Sequence, residues 1–482
     1  MAEPSSYSKK IIINPVTRIE GHASITIDLG RDGKVADAHF HVNEFRGFEK
    51  FCEGRPFTEM PSIAPRICGI CPVSHAVASV KACEDIMRLI PPPAATLLRR
   101  VMHLGQMVSS HALSFFHLSS PDFLLGFDSD PAKRNIIGLA EKFPDLAKRG
   151  IRLRKFGREC SERIAGKNIH SVGITPGGMN LGLSEENRKA LLAWIPESIE
   201  TVRIGLDIFK RYRQKHMVEV DSFANFETLY LGTVGPQGEL ELYDGKLRFI
   251  NEKGEILNDQ IDPRQYLEFI AERSLAFSYL KSPYYKPLGF PKGMYRVGPL
   301  ARLNVASSIS TPLAQKEFTE YRQIGGKKPL HGTFYYHYAR LIEALYAVEE
   351  MKNTLENPRV TSSEILACAK RNQAEGIGCS EAPRGTLFHH YVTDENGILT
   401  KVNLLIATGQ NNAGMNRSIL EVAKKQVDGP NVKEGALNRV EAAIRCYDPC
   451  LSCSTHAIGA MPLVIEIRDA DQRTVRVIQR AK

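Results

Sequence analysis

Two short stretches of this sequence carry the residue types of metal chemistry. In "RICGICPVSH", two residues separate Cys68 from Cys71, and His75 follows. "DPCLSCSTH" repeats the theme with Cys450, Cys453 and His456. A C-x-x-C turn presents both sulfurs on one side of the backbone, so two such pairs can surround one soft metal with four thiolates. Zinc ribbons close short loops, whereas these pairs lie far apart in the chain and would tie both ends of the fold together. Spacing alone leaves structural zinc, an iron–sulfur cluster and plain buried thiols open.

Such a site needs a scaffold, and hydrophobic periodicity outlines one. Between residues 11 and 50, "IIINPV", "HASITIDL" and "VADAHFHV" alternate apolar and polar residues, which predicts a β-rich start. From about Arg66 the spacing turns helical, through "HAVASVKACEDIMRLI" and "AATLLRRVMHLGQMVSSHALSFFHL". "ALLAWIPESIETVRIGLDIFKRYRQK" continues it, with Pro196 near its start. Residues 218–256 return to strand runs and Gly-rich turns. "YYHYARLIEALYAVEEMKNTL" predicts a long helix with Tyr338, Leu341, Ile342, Leu345 and Val348 on one face. The chain therefore divides into a β-rich segment (1–65), a helical core with the first cysteine pair (66–215), a β-rich excursion (216–310), helical core with the second pair (311–456), and a terminal extension (457–482). The expected fold class is α+β, predominantly helical.

The 482 residues allow roughly three domains of about 150 residues each. A hydrophobic content of 43% supports a large core. The net charge of +9 is spread over scattered pairs such as Arg99-Arg100 and Lys148-Arg149. That pattern reads as solvated or partner-facing surface, not as a nucleic-acid stripe. The N-terminus lacks the apolar core of a signal peptide, and no apolar run reaches the length of a membrane span, so a soluble, cytoplasmic protein is expected. In that compartment ten cysteines argue for metal chemistry over a disulfide framework. Cys52, Cys83, Cys160, Cys368, Cys379 and Cys446 fit no motif; Cys83 reads as a small buried apolar residue.

The flanking residues are more specific. "RICGICPVSH" and "DPCLSCSTH", together with "PVTRIEGH" near the start and "EAPRG" at 381–385, resemble the large subunit of nickel–iron hydrogenases, in order through nearly the whole chain. "EFRGFEKFCEGRPFTEMPSIAPRICGICPVSH" looks most like the soluble, bidirectional NAD-reducing members. The resemblance implies that family's large-subunit fold and the reversible heterolytic oxidation of H2 to protons and electrons. It also implies a Ni–Fe centre with carbon monoxide and cyanide on the iron. By position Cys68 and Cys450 match the terminal nickel ligands, and Cys71 and Cys453 the bridging ones. His75, one helical turn after Cys71, is then placed to tune that sulfur.

Dihydrogen is a very weak acid, so splitting it takes a Lewis acid and a nearby base. The resemblance offers Cys450 or Arg384 as that base. A guanidinium already holds its proton at neutral pH, which favours Cys450. Glu20 matches the glutamate that relays the proton outward, a task for a group that can both accept and release. Arg384 and Asp448 match the polar canopy over the metals, with Arg384 also facing a cyanide, and Thr408 matches a hydroxyl donor to the other. Two departures stand out: Ala407 occupies a position where proline is common, and Ser110 one where many membrane-bound relatives carry aspartate.

The resemblance further implies a hard metal held by Glu49, His456 and the Leu404 carbonyl. Carboxylate and carbonyl oxygens suit Mg2+, while the imidazole keeps iron open. No second cysteine array or glycine-rich phosphate cradle is visible, so electrons are expected to leave through an iron–sulfur small subunit. The NAD-reducing members add diaphorase subunits carrying FMN and NAD. A quinone-reductase-like subunit, which lacks the four thiolates, and a non-catalytic zinc scaffold are the alternatives. The tail "PLVIEIRD … TVRVIQR" reads as a β-hairpin. In the family, nickel-insertion factors load the metal and an endopeptidase then cuts after the residue matching His456, which here would release Ala457 to Lys482.

Overall fold

The computed structural model describes residues 9–455 and the strands Val464–Arg468 and Thr474–Gln479. Strands Lys9–Ile13, Ser24–Leu29 and Val35–His41 form an antiparallel sheet in sequence order. The alternation that predicts them buries Ile25, Ile27 and Phe40.

Helices Pro93–Ala112, Pro144–Ala165, Ile195–Lys215 and Tyr336–Glu356 pack into the central bundle. Pro196 sits in the first turn of Ile195–Lys215, where its missing N–H costs nothing. The expected face of Tyr336–Glu356 is buried from Tyr338 to Val348, but so are Arg340 and Glu343 on other faces. A helix enclosed on all sides must pair its charges. Arg302 does this: Nε donates to Glu343 Oε1 at 2.6 Å, and Nη1 donates to Glu381 Oε2 at 2.7 Å. It also donates to the Ala382 and Pro383 carbonyls at 2.8 and 3.2 Å, which pins the turn before Arg384. Arg302→Met would strand two buried carboxylates. We expect a loss of about 3–5 kcal/mol, read as a lowered midpoint in thermal or urea unfolding.

Three expectations are corrected. Residues Met217–Ser222 form a helix where strand runs were expected from 218. "VEV" satisfies one helical turn as well as a strand, and the turn buries Val220 while leaving Val218 85% exposed. The basic residues are not all surface either, because Arg99, Arg296, Arg302 and Arg340 are fully buried. Strands do follow at Leu229–Val234, Lys246–Ile250 and Ile256–Ile261.

Within the stretch read as helical after residue 311, strands Glu375–Ala382, Gly385–Thr393 and Leu399–Leu405 form an antiparallel sheet. It lies directly against helix Pro72–Met87, which carries His75. Glycine permits that approach: a Cβ at Gly378 would stand 1.9 Å from the Ala78 carbonyl oxygen, and one at Gly376 2.2 Å from that of Ala82. The sheet thereby brings "EAPRG" beside the first cysteine pair. Val464–Arg468 and Thr474–Gln479 pair antiparallel, with Ile465 opposite Ile478, as the hairpin pattern predicts.

Candidate metal centre

Cys68 ends the short 3-10 turn Ala64–Ile67 in extended backbone, and Cys71 immediately precedes helix Pro72–Met87. Proline at the first helical position fixes where the helix begins. Its N-terminal dipole favours negative charge on the Cys71 sulfur. At the other end of the chain, helix Glu434–Tyr447 stops at Asp448 in the left-handed conformation, φ 53°. The reversal lays Cys450 and Cys453 across the first pair. Glu20 pairs with Cys450 in a parallel bridge, and the Leu451 N–H donates to the Glu20 carbonyl at 3.2 Å.

All four sulfurs converge within 4.8 Å of one another and all four cysteines are buried. Sγ–Sγ distances are 3.2 Å for Cys68–Cys450, 3.4 Å for Cys71–Cys453 and 2.9 Å for Cys450–Cys453, all beyond a disulfide bond. Burial pushes the Cys450 and Cys453 thiols up. Hydrogen bonds from Cys450, Cys453 and Cys68, then from His75, bring Cys71 down. Packed so closely, the thiols share little negative charge unless a cation compensates it, and a soft metal is the cation that four sulfurs select.

The surroundings fit such a group. Arg384 and Asp448 are 3% exposed. Arg384 donates Nε to the Asp448 carbonyl and Nη2 to Asp448 Oδ1, the latter at 3.2 Å. Its Nη1 is buried with no hydrogen-bond partner among the described residues, as a donor reserved for a ligand would be. Burial alone would lower the guanidinium; Asp448 and the neighbouring sulfurs hold it well above its ordinary value. Burial also raises the Asp448 carboxyl, with Arg384 opposing. Thr408 Oγ1 accepts from the Cys450 N–H at 3.0 Å, which leaves its own proton to donate. Arg384, Thr408 and His75 share one small pocket with Cys71, Cys450 and Cys453. Ser110 is buried, and its Oγ has no hydrogen-bond partner among the described residues.

Glu49 accepts from the Leu404 N–H at 2.7 Å. Within a strand one residue's N–H and C=O point to the same side, so the Leu404 carbonyl faces Glu49 as well. Burial pushes the Glu49 carboxyl up to about 7. His456, expected beside it, lies outside the described residues. The Glu20 carboxylate accepts from the Ser452 N–H at 3.0 Å and from its hydroxyl.

Sequence reading did not find Ser452, nor the histidine partner of His75. That partner is His389, whose Nε2 lies 3.0 Å from His75 Nδ1. The signal was present in "TLFHHYV", where strand periodicity puts His389 and Tyr391 on one face.

The family model of nickel-dependent hydrogenases matches residues 46–136 and 243–456. The chain belongs to the nickel-dependent hydrogenase family. A HoxL-like model matches residues 10–45. The chain is 42% identical to the beta subunit of the NAD-reducing hydrogenase HoxS of Cupriavidus necator, over 97% of this chain and 99% of that one. It is 44% identical to one subunit of the F420-non-reducing hydrogenase vhu of Methanococcus voltae, over 86% and 98%. Its fold matches the crystal structure of an NAD+-reducing [NiFe]-hydrogenase in the H2-reduced state with a TM-score of 0.90, at 42% identity, over 93% of this chain and all of that one. A [NiFeSe]-hydrogenase of Dm. baculatum shares the fold at a TM-score of 0.75 and 24% identity, over 93% and 100%. The chain is thus a [NiFe]-hydrogenase large subunit of α+β fold, and the quinone-reductase and zinc-scaffold alternatives fall away. No helix among the described residues is long and apolar enough to cross a membrane.

Proposed function

We propose that this subunit oxidises H2 reversibly to protons and electrons, at a Ni–Fe centre whose iron carries carbon monoxide and cyanide, in a cytoplasmic enzyme that reduces NAD+. The observation that carries the reading is the convergence of four buried thiols beside an arginine whose Nη1 has no hydrogen-bond partner among the described residues. Cys68, Cys71, Cys450 and Cys453 would hold nickel, with Cys71 and Cys453 shared with iron. When bound, that centre supplies the Lewis acid and the redox couple. The chain's own groups do the rest. Arg384 and Thr408 direct N–H and O–H groups at the diatomic ligands, Asp448 holds Arg384 in place, and His75 donates to Cys71. The Cys450 thiolate takes the proton, and Glu20 receives it on the way to solvent.

Glu49, the Leu404 carbonyl and His456 would hold Mg2+ or iron. Electrons would pass to an iron–sulfur small subunit and on to diaphorase subunits bearing FMN and NAD; the likeness to NAD-reducing enzymes supports this choice. Elemental analysis and infrared spectroscopy of the purified assembly test the reading. Nickel and iron with carbon monoxide and cyanide bands are expected; zinc without nickel, or no such bands, would overturn it.

The hairpin beyond His456 fits a maturation extension. It would keep the chain end outside until nickel-insertion factors have loaded the site, and an endopeptidase would then release Ala457–Lys482. Mass spectrometry of active enzyme should find a chain ending at His456. An intact Lys482 in active enzyme would rule out processing.

A further inference from the structure

Glu20 projects from a doubly kinked stretch of backbone. Two residues before it, Arg18 lies in the left-handed region at φ 57°, and Gly21 follows it at φ 85°. Glycine takes that conformation freely, and here it must, because a Cβ would stand 2.7 Å from Leu451 Cβ. Arginine does not take it freely. A residue with a side chain persists there only where its surroundings hold it.

What holds Arg18 is a buried polar hub. Its Nη1 donates to the Leu118 carbonyl at 2.7 Å, and its Nη2 donates to Asp122 Oδ1 at 2.6 Å and Asn438 Oδ1 at 3.2 Å. Leu118 lies in the π-helical turn Leu113–Ser119, and Asp122 in helix Ser120–Leu125 directly after it. Asn438 belongs to helix Glu434–Tyr447, whose end leads into Asp448 and Cys450.

The same hub grips that helix a second time. Arg445 donates Nε to Asp122 Oδ2 at 3.2 Å, Nη1 to the Thr17 carbonyl at 3.3 Å, and Nη2 to the Asn438 side-chain oxygen. Asn438 Nδ2 donates to Asp122 Oδ1 at 3.1 Å and to the Phe127 carbonyl at 3.2 Å. Its amide therefore has one orientation, with the oxygen toward two guanidinium groups and the NH2 toward a carboxylate. Asp122, Asn438 and Arg445 are all buried.

Two roles suit such a hub, carrying a proton onward or aiming the group that does. A guanidinium keeps its proton in a protein, so Arg18 and Arg445 close this side to proton transfer. Aiming remains. The relay needs Glu20 on one segment to meet Cys450 on another, and the Asp122 carboxylate fastens both. Arg18 stands two residues before Glu20, and Arg445 five before Cys450.

We propose that Arg18, anchored on Asp122 and Asn438, is a positioning residue for the proton relay, holding the backbone kink that aims the Glu20 carboxyl at the Cys450 segment. The proposal rests on the reading of Glu20 as that relay.

The test measures dihydrogen–proton exchange, nickel per chain and infrared bands in the assembled enzyme, for Arg18→Ala, Glu20→Gln and the double variant. Arg18→Ala leaves Asp122 paired with Arg445, so no buried carboxylate is stranded. It should slow exchange about 10-fold or more, with nickel and bands unchanged. In the Glu20→Gln background the same substitution should slow exchange by less than about 2-fold, because a residue acting through Glu20 has nothing left to aim. A general weakening of the fold would instead multiply the two losses. Multiplied losses, wild-type exchange in Arg18→Ala, or displaced metal bands would each overturn the positioning role. If Arg18→Ala binds no nickel, Arg18→Gly, which takes φ 57° freely, replaces it with the same expected outcomes. Failure of both to bind nickel would make the hub a folding element and overturn the proposal as well. Wild-type exchange in Glu20→Gln would refute the relay reading itself. Slow exchange there, beside wild-type exchange in Arg18→Ala, would refute this proposal alone.

Discussion

Replacing Cys450 with serine should abolish dihydrogen–proton exchange. The substitution changes one atom in a buried place. Cys450 is 1% exposed, its sulfur stands 2.9 Å from that of Cys453, and its amide is bound by Thr408. Serine preserves the backbone contact and nearly the same volume, so the turn between Asp448 and Ser454 should survive. Chemistry is what disappears. An alcohol oxygen is a hard donor that stays protonated at neutral pH, so it serves neither as a soft ligand nor as the base that takes a proton from H2. Deuterium exchange should fall to background in the assembled enzyme. The control is Cys160→Ser, another buried cysteine, which lies in helix Pro144–Ala165 with Phe156 and Met351 as its sulfur's neighbours. That variant should keep exchange within a few-fold of wild type while losing some stability. Full exchange in Cys450→Ser would remove its role as base and ligand together.

The contrast between those two cysteines also separates what could be read in the sequence from what could not. Cys68, Cys71, Cys450 and Cys453 were legible because ligand spacing is a local property that survives in a one-dimensional string. The bundle helices were legible for a similar reason, since an apolar stripe repeats every three or four residues. Partners brought in by the fold were not. Ser452 reaches Glu20 across 432 residues of chain, and His389 reaches His75 across 314. Buried cations were hidden for a different reason. An arginine in sequence reads as surface, and only the surrounding carboxylates and carbonyls make Arg302 a core residue. The short helix Met217–Ser222 was misread because alternation over three residues fits either period, and packing of Val220 settled it.

Glu20→Gln should slow proton exchange by about 100-fold or more, with nickel, iron and infrared bands left in place. Geometry makes this a clean substitution. The Glu20 carboxylate accepts from the Ser452 N–H and hydroxyl, and its main-chain carbonyl accepts from Leu451. Glutamine keeps the length of the side chain. Its amide oxygen can still accept from the Ser452 N–H, while its NH2 donates to the Ser452 hydroxyl oxygen once that rotor turns. The strand bridge between Glu20 and Cys450 is therefore retained. What is lost is the capacity to take a proton and give it up, because a neutral amide does neither at accessible pH. Loading of the metals needs no proton at this position. The deficit should thus appear in exchange and steady-state turnover, but not in the metal spectra of the reduced enzyme. Ser452→Ala sharpens the comparison. It leaves the carboxyl and the Ser452 main-chain N–H in place and removes only the hydroxyl contact, so it should cost far less than Glu20→Gln. Wild-type exchange in Glu20→Gln would move the proton route elsewhere. A Ser452→Ala defect equal to that of Glu20→Gln would show that orientation of the carboxylate, and not its acid–base chemistry, limits the relay.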